Sequence, residues 1–178
     1  MTDIVTAGRI VVGVDGSEAS SSALRWAVEQ ARALGAEVVA VHAWEPSGPG
    51  FAPYAPVAAR PTAAAERDAA ARRLADTLRE VFGRRPDVAV RAELVEGPAA
   101  RVLLERARGA LLLALGRTPH EWGEAPVMGA VGRECLRHAP VPVVAVPVVP
   151  VRSHAPLTVA AAEPRARAPR TPAHAASG

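Results

Sequence analysis

The 178-residue chain is 49% apolar, carries a formal net charge of +3 and contains one cysteine, which fits a single cored domain and excludes an internal disulfide or a multi-cysteine metal site. It has no lysine, so GxxxxGK phosphate loops and Schiff-base chemistry are ruled out. The positive excess lies after Pro150, where Arg152, Arg165, Arg167 and Arg170 face only Glu163; the rest is balanced, and a nucleic-acid partner is therefore not expected.

Arg9–Val14 (RIVVGV) is a short β-branched run and predicts strand 1. Asp15-Gly16-Ser17 follows as a turn, with Ser17 as the N-cap of a first helix. Leu24, Ala27, Val28, Ala31 and Leu34 form its inward stripe, and Gly35 stops it. Glu37–Ala43 predicts strand 2. The stretch Glu45–Pro61 holds Pro46, Pro49, Pro53, Pro56 and Pro61, a loop long enough for a lid or a disordered flap.

Helix 2 is expected over Thr62–Phe82, with Ala71, Leu74, Leu78 and Val81 buried and its arginines solvated. Val88–Val95 alternates as strand 3, and Gly97-Pro98 opens helix 3, with Val102, Leu103 and Ala107 inward. Ala110–Leu115 predicts strand 4. A fourth helix from Gly129 to His138 ends before Pro140, and Val141–Val148 is strand 5. Residues 151–178 are Ala-, Pro- and Arg-rich and read as a disordered tail, residues 1–8 as a flexible N-terminus, and residues 9–150 as the folded unit. No apolar run reaches the length of a membrane span and the first nine residues lack an apolar signal segment, so no membrane contact and a cytoplasmic location are expected.

Strands alternating with helices imply an α/β fold with a doubly wound, five-stranded parallel sheet. Ligands of such sheets bind at strand carboxyl ends, next to helix N-termini. The segment Leu111–Pro147 has that layout, a buried strand, a loop, a helix opening at Gly129 and a valine-rich strand.

Three blocks in this order, Ile10–Pro46, Glu96–Arg117 and His138–Pro147 (HAPVPVVAVP), resemble the universal stress protein family over about residues 9–148. The resemblance implies strand order 3-2-1-4-5 and a stress-response homodimer. In one branch of the family it also implies ATP at the switch point between strands 1 and 4, held by Gly-x2-Gly-x9-Gly followed by Ser or Thr. Gly116 and Gly129 match the outer glycines. Pro119 stands at the middle one, Ala130 at the hydroxyl position, and Gly132 where a second serine is common. By the same resemblance, Asp15, Val41, Gly116, Arg117, Gly129, Ala130 and Val131 are the nucleotide-site candidates, with Arg117 able to restore some phosphate attraction.

Proline has no N–H and fixes φ, so position 119 can neither donate nor take a positive φ. Ala130 removes a hydroxyl donor while its backbone N–H and the helix dipole remain. One lost donor to a charged group costs about 1.5–3 kcal/mol, or one to two decades of affinity. The expected cleft binds ATP weakly or not at all and needs no metal of its own.

His120-Glu121-Trp122 reads as a drifted loop, with Trp122 packed over the cleft, in preference to a new specificity element, since a lone His/Glu pair falls short of a metal ligand set. Cys135 reads as a small core residue, His138 as a C-terminal dipole partner, and Trp26 and Trp44 as packing or interface residues. Pro142 and Pro147 confine strand 5 to a sheet edge. Val141–Val148 makes that edge apolar, and pairing with a second copy is the simplest cover. With no paired carboxylates, metal cluster or activated nucleophile in view, catalysis is not expected. The leading expectation is a non-enzymatic stress-response homodimer with a weak or lost adenine-nucleotide cleft. The alternative is a scaffolding, protein-interaction homodimer with a closed cleft.

Overall fold

A computed structural model describes residues 8–47, 61–83, 87–118 and 128–148. Its elements are β1 (Arg9–Gly13), α1 (Glu18–Leu34), β2 (Glu37–Trp44), α2 (Ala63–Phe82), β3 (Val90–Glu96), α3 (Ala99–Ala107), β4 (Leu112–Arg117), α4 (Ala130–His138) and β5 (Val143–Pro147). The five strands form one sheet in the order β3-β2-β1-β4-β5, parallel at every pairing. The expected fold class and strand order are therefore what the chain adopts.

Alternating residues of the central strands feed two cores. Ile10, Val12, Val38, Ala40 and Ala114 pack with Leu24 and Val28 of α1 and Leu74 of α2. Val11, Val39, Val41, Leu113 and Leu115 pack with Val102 and Leu103 of α3 and Cys135 of α4. Burial on both faces at the centre of the sheet explains why β1, β2 and β4 are largely Val, Leu and Ala runs, while the edge strand β3 (VRAELVE) is mixed.

Local signals explain the helix ends. Ser17 accepts the Ser20 N–H through its hydroxyl at 3.1 Å, and Gly35 closes α1 in the left-handed region at φ 62°. Thr62 caps α2 in the same way, its hydroxyl accepting the Ala65 N–H at 3.2 Å.

Three expectations need correction. Leu34 is 58% exposed; it lies about 70° round the helix from the centre of the Leu24–Ala31 stripe, at 100° per residue, in the last turn. On α2 it is Ala70 that is buried, with Leu74 and Thr77, while Ala71 faces solvent. Burying Thr77 is tolerated because its hydroxyl donates to the Arg73 carbonyl at 2.9 Å, and this turns the inward face away from Ala71. Finally, β4 begins at Leu112 and runs on to Arg117, so Gly116 and Arg117 are strand residues paired with Val146 and Pro147. The apolar pattern stops at Leu115, whereas backbone pairing with β5 does not.

The proline loop between residues 48 and 60, the 119–127 loop and the 151–178 tail lie outside the described residues, and so do the expectations for them. None of the described helices is long and apolar enough to cross a membrane.

Candidate functional site

β1 pairs with β2 on one side and with β4 on the other, so the chain switches direction at the carboxyl ends of β1 and β4. Open α/β sheets have their crevice there. A cleft of about 330 Å³ occupies this point, walled by the ends of β1, β2 and β4 and the starts of α1, α3 and α4. Its size falls near the lower end of small-molecule sites.

Asp15, Val41, Gly116, Gly129, Ala130 and Val131 all line the cleft. Arg117 does not. Its Nε is buried without a hydrogen-bond partner among the described residues. Pro119 and His120-Glu121-Trp122 lie outside the described residues. Among the described lining residues the one charged side chain is Asp15.

Asp15 is fixed by its own turn. Its Oδ1 accepts the Ser17 backbone N–H at 2.9 Å and the Ser17 hydroxyl at 2.6 Å. Partial burial pushes its carboxyl up, but the hydrogen bonds from the Ser17 side chain and backbone and from Ser20 outweigh it and hold the pKa below the usual aspartate value. The turn organises the start of α1 and sets the carboxylate at the edge of the cleft.

The motif's two glycines differ physically. A Cβ on Gly116 would stand 2.3 Å from the carbonyl carbon and oxygen of Ala19 and 2.7 Å from the Ser20 nitrogen. The first turn of α1 therefore lies directly on β4, which glycine alone permits. Gly129 has no atom within 4 Å of such a Cβ. It is the N-cap of α4 with no side-chain cap bond, so the first-turn amides of that helix border the cleft without a cap from their own N-cap residue. Met128 reaches over the same turn, its methyl 2.3 Å from where a Gly132 Cβ would be, and it packs against the core that contains Val41, Leu103 and Leu115. Val131, 38% exposed, stands at the rim.

The sequence reasoning missed Ser17 and Ser20 as wall residues, along with Leu103, Thr118 and Met128. The serine run Ser20–Ser22 behind a capped turn was the available signal for the first pair. Thr118 and Met128 flank the loop and carried no pattern. Cys135 is buried on the inner side of α4, where burial and the neighbouring Glu134 charge push its thiol pKa up. A thiol held protonated is a core residue and not a nucleophile. No cluster of His, Cys, Asp or Glu among the described residues can hold a metal ion.

The model of the universal stress protein family matches residues 6–147. The chain belongs to the universal stress protein family. It is 37% identical over 141 residues, 76% of its length, to a universal stress protein of Mycobacterium tuberculosis, and spans 42% of that protein. The chain thus covers less than half the length of the curated relatives it matches. Among solved structures, a universal stress protein family member from Burkholderia pseudomallei is 30% identical with a TM-score of 0.57, over 80% of this chain and 98% of that one. The universal stress protein of Archaeoglobus fulgidus in complex with dAMP shares the fold at 20% identity, with a TM-score of 0.57 over 80% of this chain and 99% of that one.

Proposed function

We propose that the cleft of this universal stress protein takes an adenine nucleotide carrying few phosphates, binds ATP weakly or not at all, and acts without catalysis in a stress response. The observation that carries this reading is the charge of the cleft. Asp15 is the one charged side chain among its described lining residues, so among those residues a triphosphate meets the α4 amides but no cation to offset its added charges. A helix N-terminus favours one phosphate by about 0.3–1 kcal/mol when exposed, which is too little for three. Val41 offers apolar wall and Asp15 a carboxylate for the adenosine part. The dAMP held by the Archaeoglobus relative is a nucleotide of the proposed class.

Calorimetric titration of the full chain with AMP and with magnesium-ATP tests this. AMP is expected to bind at least as tightly as ATP. Micromolar ATP binding with weaker AMP would overturn the reading.

The proposed working form is a cytoplasmic homodimer. β5 is an edge strand, and Val143, Val144 and Ala145 keep only intermediate burial in the single chain. An apolar strand edge is ordinarily covered, and a second copy over Val141–Val148 covers it symmetrically. Sedimentation velocity at micromolar concentration should show twice the chain mass. A monomer would sink the dimer and leave the cleft reading untouched. A scaffolding role with a closed cleft is the second reading, favoured by Met128 packing onto the cleft's apolar floor.

A further inference from the structure

One buried polar side chain has no part in the nucleotide cleft. His42 stands near the carboxyl end of β2, adjacent in sequence to Val41 and therefore on the other face of the sheet. It is only 5% exposed. Its Nδ1 lies 2.6 Å from the Val14 carbonyl oxygen. A carbonyl only accepts, so Nδ1 carries the hydrogen, and in the neutral ring Nε2 is left as an acceptor. No described residue donates to Nε2.

The imidazole lines a groove of about 560 Å³ between the end of β2 and the first half of α2, separate from the cleft except that Asp15 and Ala43 border both. Among the described residues, Asp15, Glu45 and Glu66 border it with Arg73, three carboxylates against one guanidinium. Glu66 accepts the Ser47 N–H through Oε2 at 2.8 Å, leaving Oε1. Asp15 uses Oδ1 on Ser17, leaving Oδ2. The Arg73 stem lies against the Asp15-Gly16 turn, with Cγ and Cδ 2.8 Å from where a Gly16 Cβ would be. Trp44 and Ala70 supply apolar wall.

Among the described residues, the remaining valences at His42, Glu66 and Asp15 are all acceptors, the lining carries more carboxylates than guanidinium groups, and part of the wall is hydrocarbon. A ligand matching this needs several N–H donors, positive charge and methylene groups. A bare metal ion fits worse, since the described residues contain no metal-ligating cluster. We propose that the His42–Glu66 groove binds an aliphatic polyamine cation, one ammonium group donating to His42 Nε2 and to Glu66 while its methylenes lie on Ala70 and Trp44. The inference does not rest on the nucleotide reading.

Spermidine is the probe, titrated into the ¹⁵N-labelled full chain while the His42 Nε2 resonance is followed, with affinity from calorimetry. Saturable movement of Nε2 is expected. Glu66→Gln should weaken spermidine about tenfold, the loss of one charge-assisted bond. Arg73→Gln should tighten it a few-fold, because a like charge leaves the groove; a merely damaged fold would not tighten binding. Thermal midpoints and AMP titrations of both variants should match the native chain. An Nε2 signal that stays still into the millimolar range, or an affinity that neither variant changes, overturns the proposal. Spermidine binding in a chain that ignores AMP would leave it standing and remove the nucleotide reading alone.

Discussion

Gly116→Ala is expected to destabilise the fold by about 2–3 kcal/mol, the upper part of the range for forcing extra volume into a packed site. Gly129→Ser should leave stability within about 0.5 kcal/mol, since serine is at least glycine's equal at an N-cap. Both residues match the same glycine pattern in the sequence, yet only one is constrained by packing. The Gly116 Cβ would meet backbone atoms of Ala19 and Ser20, which cannot rotate away as a side chain would. Relief requires α1 to lift from β4, opening a core that contains Leu24, Ala27 and Ala114. Urea unfolding checks this through the two midpoints, with slopes unchanged. Equal midpoints for native and Gly116→Ala would show that α1 retreats freely and that the glycine serves the cleft instead.

The second large effect concerns affinity. The double variant Pro119→Gly/Ala130→Ser should bind magnesium-ATP at least tenfold more tightly than the native chain. Serine at 130 adds a hydroxyl at the start of α4, beside amides that already lack a side-chain cap. Glycine at 119 restores an N–H and the freedom to turn it inward. Each donor to a charged phosphate is worth about 1.5–3 kcal/mol, or one to two decades. Calorimetry on both full-length proteins reads the difference. Strong ATP binding by the native chain would show that backbone donors suffice, and silence from both would favour the scaffolding homodimer.

The fold was legible because its signals are local and repeated. Val-rich strands of five to eight residues, a capped Asp15-Gly16-Ser17 turn and helix-ending glycines each point to the same architecture. Element edges were less legible where two forces disagree. The apolar run ends at Leu115, but the hydrogen bonds of β4 with β5 continue to Arg117. Periodicity placed Ala71 inward because alanine carries no strong preference, whereas the structure buries Thr77 by satisfying its hydroxyl internally.

The cleft was half legible. The Gly116-to-Gly129 spacing located it, yet spacing alone could not tell a glycine that admits a helix from one that leaves a mouth open. The side-chain direction of Arg117 depends on its being a strand residue, which the sequence pattern did not show. His42 carried no signal of its own within the Glu37–Ala43 run. Its significance lies in which of its two ring nitrogens meets the Val14 carbonyl, and that requires coordinates.

Seating α1 on Gly116 has a mechanical consequence for the cleft. The wall formed by α1 and β4 is backbone against backbone, with no side chain between to act as a cushion. The opposite wall is the Met128 thioether resting on Gly132, an unbranched chain with three rotatable bonds that reshapes at little cost. The cleft is thus a vice with one fixed jaw and one compliant one. Guests that differ on the α4 side are absorbed by rotamer changes, while those that differ at the Gly116 side meet a surface that does not yield.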